Sequence, residues 1–109
     1  YNGTAWSEVA DLNSGRRAMP GFGLQTAAIC AGGTPGPKVL VESFDGTSWT
    51  EIAELNTGRD NNASSIGTST AGLVFGGSTG LAVTESWNGT AWTEVNDLNE
   101  GRQETSGLV

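Results

Sequence analysis

Short apolar runs alternate with glycine-rich polar breaks along the whole chain. "TAAICAGG" (Thr26–Gly33) and "AGLVFGG" (Ala71–Gly77) are apolar stretches stopped by a glycine pair. Runs of this length suit strands buried on both faces. "KVLVESF" (Lys38–Phe44) and "LAVTESW" (Leu81–Trp87) read as strands by their β-branched and aromatic content. "GFGLQT" (Gly21–Thr26) and "SSIGTST" (Ser64–Thr70) read as weaker strands, rich in Gly and Ser. No segment holds a 3.6-residue apolar period of useful length, so no helix is expected. Between the runs, "YNGTAW" and "FDGTSW" place Asn-Gly and Asp-Gly between aromatic flanks, the strongest short hairpin signal. Asn and Gly both tolerate the positive φ that a type I′ turn demands, which predicts that turn here.

The pattern repeats. "WSEVADLNSGR" from Trp6 returns as "WTEIAELNTGR" from Trp49 and "WTEVNDLNEGR" from Trp92, steps of 43 residues. The Trp, Glu, Leu, Asn, Gly and Arg are the same in all three copies. The glycine pairs ending at Gly33 and Gly77 are 44 apart, so one residue is gained between them. Each unit then holds four short strands: one after the Arg, one ending in Gly-Gly, one ending at the aromatic, and one starting near the Trp. Four antiparallel strands in a period of roughly 40–50 residues predict a β-propeller blade. A single blade cannot bury both faces, so such units need neighbours. The units span 1–43, 44–86 and, in part, 87–109, about ten strands or two and a half blades of one all-β domain. The ring is then completed by further repeats or by other chains. A segment of a longer array is the favoured expectation over copies that close with an irregular seam.

Composition narrows the chemistry. The net charge is −7, and three of the five basic residues are the repeated Arg16, Arg59 and Arg102. A nucleic-acid binder needs a clustered basic surface, so neither nucleic acid nor an anionic membrane is an expected partner. No run approaches the ~18 apolar residues of a membrane span, and the first residues lack the basic and apolar regions of a signal peptide. The chain has no His and one Cys, Cys30, which forms no internal disulfide and reads as a small buried hydrophobe. Too few soft ligands exist for a Zn, Cu or haem site, and no cofactor is expected. Without His there is no Ser-His or Cys-His pair. The acids repeat with the units, whereas a catalytic centre is a one-off feature, so no enzyme is expected. "DLNSG" and its copies resemble the opening of a calcium loop, but the twelfth residue from Asp11 is Phe22, which cannot supply the closing carboxylate. A turn is the expected reading. "NGT" at Asn2 and Asn88 and "NAS" at Asn62 fit the glycosylation sequon, but the same letters are hairpin chemistry.

The arrangement resembles the kelch repeat. Its marks here are Gly32-Gly33 and Gly76-Gly77 closing the second strand, then Tyr1, Phe44 and Trp87, then Trp6, Trp49 and Trp92 in the fourth strand. Only four residues separate Phe44 from Trp49, fewer than kelch blades usually have. The "NGTAWTEVNDLN-GR" wording, poor in Lys and rich in Gly, Thr and Ala, is similar to kelch-like arrays in virion and tail proteins of marine bacteriophages. That resemblance implies a non-enzymatic structural or adhesive module, extracellular as part of a virion, holding variable loops toward a host glycan or protein.

Several residues are candidates for contact. Trp6, Trp49 and Trp92 are expected to fill the gap between neighbouring sheets; the alternative is a stacking platform for sugars. Arg16, Arg59 and Arg102 stand at the link from one unit to the next, where a guanidinium can donate to loop carbonyls and a carboxylate. Its partners are Glu42 and Glu85, or else Glu8, Glu51 and Glu94. A structural joint is the expected reading; the alternative is a lectin, with Trp, Arg and Glu of each unit clamping glycans in equivalent pockets. The loops Gly33–Val39 and Gly77–Val83 differ between copies, which makes Pro35, Lys38 and Thr79 the first expected contacts with a partner.

Overall fold

The computed structural model describes residues 1–35, 38–60, 63–77 and 80–102. Within them the chain is all β, with eight strands in two four-stranded antiparallel sheets and no helix. The first sheet is β1 (Gly21–Leu24), β2 (Ala27–Ala31), β3 (Val41–Phe44) and β4 (Trp49–Ile52), side by side in that order. The second is β5 (Ser64–Thr68), β6 (Ala71–Phe75), β7 (Thr84–Trp87) and β8 (Trp92–Val95), again in chain order. Each strand falls on one of the runs read from the pattern. Each sheet straddles a unit boundary, because a unit counted from Tyr1 ends within a third strand. The copy beginning at Trp6 carries no strand. Its hairpin closes, with the Asn2 N–H donating to Ala5 O at 3.2 Å. Among the described residues no further strand lies beside that hairpin to complete a ladder, and a strand is defined by its partner.

The hairpins differ from the expected type I′ turn. Gly3, Gly46 and Gly89 take positive φ of +94°, +97° and +96°, but Asn2, Asp45 and Asn88 do not. These residues act through their side chains instead. Asp45 Oδ1 accepts the backbone N–H groups of Thr47 and Ser48, both at 2.8 Å. Asn2 and Asn88 make the same cap on the two N–H groups that follow at the same spacing. This is an Asx turn, in which the side chain replaces the backbone carbonyl. The N–H groups of Ser48 and then Thr47 hold the exposed Asp45 carboxyl below its ordinary range. A depressed carboxyl contributes stability that is present above its unfolded pKa and lost as pH falls through the folded one. The Asp45 cap should therefore weaken below about pH 4. Asp45→Asn should keep the cap, as Asn2 and Asn88 do, and flatten the urea midpoint over this range; an unchanged pH profile would count against the cap.

The core lies between the two sheets. Register places Phe22 opposite Ile29, and Ala31, Val41 and Ile52 in one cross-strand row, so these residues share a face of the first sheet. That face meets Val74, Trp87 and Trp92 of the second sheet, with Leu55 closing the edge. Phe22 covers Gly72, where a Cβ would stand 2.5 Å from the ring. β1 and β5 run close together, tied by the Ser65 hydroxyl donating to Gly21 O at 2.9 Å. The strands ending in Gly-Gly are not buried on both faces as expected. In β6 Val74 is buried while its neighbour Leu73 is 39% exposed, because no described sheet covers the far face. The most enclosed strands are β3 and β7, which carry Glu42 and Glu85, both fully buried.

Candidate functional site

The repeated phrase forms a joint that is built twice. Arg16 leaves the segment before β1 and sends its guanidinium to Gly32 O at 2.7 Å, Leu40 O at 2.8 Å and Glu42 Oε2 at 2.8 Å. Its Nε–H reaches Ser14 O at 3.3 Å. Glu42 accepts two further backbone N–H groups, from Asn13 at 2.8 Å and Ser14 at 3.4 Å. In the second copy Arg59 donates to Gly76 O at 2.7 Å, Val83 O at 2.8 Å and Glu85 Oε2 at 3.1 Å. Glu85 accepts from the N–H groups of Asn56 at 2.7 Å and Thr57 at 3.2 Å. The copies differ at Nε: that of Arg59 is buried with no hydrogen-bond partner among the described residues. All four side chains have zero exposure. Of the partners open from sequence, the structure selects Glu42 and Glu85 over Glu8, Glu51 and Glu94. A charge can be buried here because each carboxylate receives a guanidinium and two N–H groups.

The other repeated letters complete the joint. Asn13 and Asn56 donate their side-chain amides to Trp49 O and Trp92 O, at 2.8 and 3.2 Å. Trp49 and Trp92 return the tie, their indole N–H groups reaching Ala10 O and Ala53 O, each at 3.1 Å. Leu55, buried, donates its N–H to Val39 O at 2.9 Å. The glycine pair links successive copies. Gly32 O receives Arg16, while the Gly33 N–H donates to Arg59 O at 2.7 Å. Gly32 has φ +74°, and a Cβ there would stand 2.4 Å from Arg59 O. Gly32→Ala should therefore cost on the order of 1–3 kcal/mol for the backbone conformation alone, with the clash added. A urea midpoint within error of the parent would contradict this contact.

The third copy is half made. The Arg102 N–H donates to Leu81 O at 2.9 Å and its carbonyl accepts from Gly77 at 3.0 Å, as Arg59 does with Lys38 and Gly33. Its side chain is exposed.

The tryptophans are alike in geometry and unlike in burial. Each stacks on the aromatic across its hairpin: Tyr1–Trp6 at 4.9 Å, Phe44–Trp49 at 5.0 Å and Trp87–Trp92 at 5.1 Å. Trp92 is 7% exposed, Trp49 is half-buried and Trp6 is 84% exposed. Burial follows the number of sheets around each ring.

Two equivalent clefts open at the hairpin end of the sheets. One, of about 470 Å³, is lined by Phe44, Asp45, Ile52, Ser69, Trp87 and Gly89. The other, of about 380 Å³, is lined by Tyr1, Asn2, Val9, Gln25, Phe44 and Gly46, the same positions one unit earlier. The joint lies at the opposite end, with the β2–β3 loops. Trp, Arg and Glu of one unit therefore do not meet in a described open pocket: Tyr1, Trp6, Phe44 and Trp87 border the clefts, Trp49 and Trp92 do not, and Arg16, Arg59, Glu42 and Glu85 are sealed in the joint. Sequence reasoning missed Asp45, Ser69 and Gly89 as cleft positions, since only the inter-sheet packing brings them together.

At the joint end, Pro35 and Lys38 are exposed, and Lys38 pairs with Asp60. Thr79 lies outside the described residues, as does Asn62. Cys30 is half-buried rather than enclosed. It stands opposite Glu42 on the neighbouring strand, and burial, outweighing the attraction of Arg16, pushes its thiol up. No protein-family model matches this chain, and no curated protein does, so the joint and the clefts carry its functional reading.

Proposed function

We propose that the chain is a segment of a kelch-like β-propeller, serving as a non-enzymatic structural or adhesive module that displays loops to a partner. The observation that carries this is the joint: the repeated Arg, Asn and Trp and the glutamate of the third strand are spent on tying one copy to the next. A frame so fixed leaves variation to the loops. Gly33–Val39 and Gly77–Val83 differ in sequence but spring from equivalent anchors, with the Gly32 and Gly76 N–H groups donating to Leu40 O and Val83 O. The resemblance in wording to phage arrays favours a virion or tail component acting outside the cell, its partner a host-surface glycan or protein. The absence of His and the repetition of most of the acids favour a role other than catalysis.

The test is a loop exchange. Writing the sequence of Gly77–Val83 into Gly33–Val39 should alter capture of bacterial cell-envelope material by the immobilised chain and leave its urea midpoint nearly unchanged. Unaltered capture would sink the display reading.

A second reading, a propeller lectin, is favoured by the paired clefts, which offer equivalent apolar walls beside the polar Asp45 and Asn2. A glycan array separates the two readings because the clefts and loops are at opposite ends of the sheets. Equivalent sites weakened by Asp45→Ala and indifferent to the loop exchange would mark the lectin.

A further inference from the structure

We infer that the outer face of the second sheet is a socket for one further sheet of this repeat, and that its occupant must carry a buried glutamate not already held by an arginine. The inference rests on reading the sheets as members of one array. It deepens that reading by specifying the partner.

The face is the equivalent of one that is already covered. Leu73, Phe75, Thr84, Val95 and Leu98 border an open hollow of about 650 Å³. They occupy the positions held in the first sheet by Ile29, Ala31, Val41, Ile52 and Leu55. Those five pack under Val74, Trp87 and Trp92. In the second sheet Leu73 and Val95 are 39% and 42% exposed. The same side of the same sheet is thus core in one copy and surface in the next.

The polar groups of the joint point the same way. The backbone of Arg102 is docked as that of Arg59 is, yet its guanidinium is in solvent and finds no acceptor among the described residues. By repeat position, the N–H groups of Asn99 and Glu100 match those that Glu42 and Glu85 receive from Asn13, Ser14, Asn56 and Thr57. The Asn99 amide matches donors that reach a tryptophan carbonyl. The carbonyl of Asn96 matches Ala10 and Ala53, which accept an indole N–H. The fitting occupant therefore supplies a third strand of the form apolar-Glu-Ser-aromatic and a fourth strand beginning with Trp. A second copy of this chain contains such strands, but Arg16 and Arg59 already fill both of its buried glutamates. Self-docking through this joint would leave Arg102 buried without a counter-charge, which is strongly unfavourable.

Two measurements test this. The first compares the 109-residue chain with a longer one in which residues 60–102 follow Arg102 a second time, so that a sheet with a vacant Glu85 is present. Arg102→Ala should be nearly silent in the 109-residue chain. In the longer chain it should shift the unfolding equilibrium by about a hundredfold or more, as one-sided loss of a buried pair does. A silent Arg102→Ala in the longer chain, with the added sheet folded by circular dichroism, would overturn the socket. The second is sedimentation of the 109-residue chain with rising concentration, where a monomer is expected. A discrete oligomer that Leu73→Asp dissolves would overturn the glutamate requirement, because a second copy would then occupy the face. Neither outcome bears on the display reading, which the loop exchange decides separately.

Discussion

Glu85→Ala should cost about 3–5 kcal/mol, the penalty for removing one member of a buried ion pair. Against a total stability of roughly 5–15 kcal/mol for a domain, the urea midpoint should fall by about a fifth or more, or the chain should be unfolded at 25 °C. The cause is concentrated in one side chain. Glu85 has zero exposure and takes the Arg59 guanidinium together with the N–H groups of Asn56 and Thr57. Without it Arg59 stays enclosed, its charge met only by the carbonyls of Gly76 and Val83. Glu85→Gln separates the contributions: an amide oxygen can still accept from Asn56, but the counter-charge is gone, so an intermediate loss is expected. Removing both charges with Arg59→Met and Glu85→Leu should cost less than the two single changes summed, since neither charge is then stranded. Lys38→Ala is the contrast. Lys38 is half exposed although Asp60 beside it is buried; solvent reaches the ammonium, so a loss well short of that for Glu85→Ala is expected. Equal midpoints for Glu85→Ala and Lys38→Ala would refute the joint as the main tie between the sheets.

Trp92→Ala should be about as damaging, at roughly 3–5 kcal/mol for truncating a large buried aromatic. Trp92 lies edge-on to Phe22 at 6.4 Å, stacks on Trp87 and ties its indole N–H to Ala53 O. All of these are lost together, and the cavity falls at the centre of the core. Trp6→Ala, the same change at the same place in the repeat, should stay within about 0.5 kcal/mol of the parent. Its ring touches Tyr1 but is 84% exposed. Trp49→Ala should fall between them, as its half-buried ring does. Chemical denaturation of the three variants side by side measures the number of sheets around each ring. A large loss for Trp6→Ala would mean that a further surface covers it in solution.

Much of the fold is legible from local pattern. The runs "KVLVESF" and "LAVTESW" contain β3 and β7, and the Asn-Gly and Asp-Gly pairs lie in the hairpins. The hairpins were legible as places but not as types. A turn is selected by the strands it joins and by its side-chain caps, and Asp45 gave its carboxylate rather than its backbone. The burial of β3 and β7 was illegible for a related reason. A glutamate in "VESF" is one of several candidate partners for the Arg until its donors are known, and those donors come from 26 to 29 residues away. The clefts were illegible because they need two hairpins and a neighbouring turn brought to one end.

By itself the sequence determined the all-β class, the period of 43 residues, the strands and their hairpin order, and the Arg-Glu chemistry of the links. These follow from short-range preferences and from repetition, which local letters carry. Only the tertiary structure decided which Glu meets which Arg, which of three identical tryptophans is core, and which face of the second sheet is left open. Those outcomes depend on what packs against each copy, and identical letters cannot differ in themselves. They differ in their neighbours, which only the folded arrangement assigns.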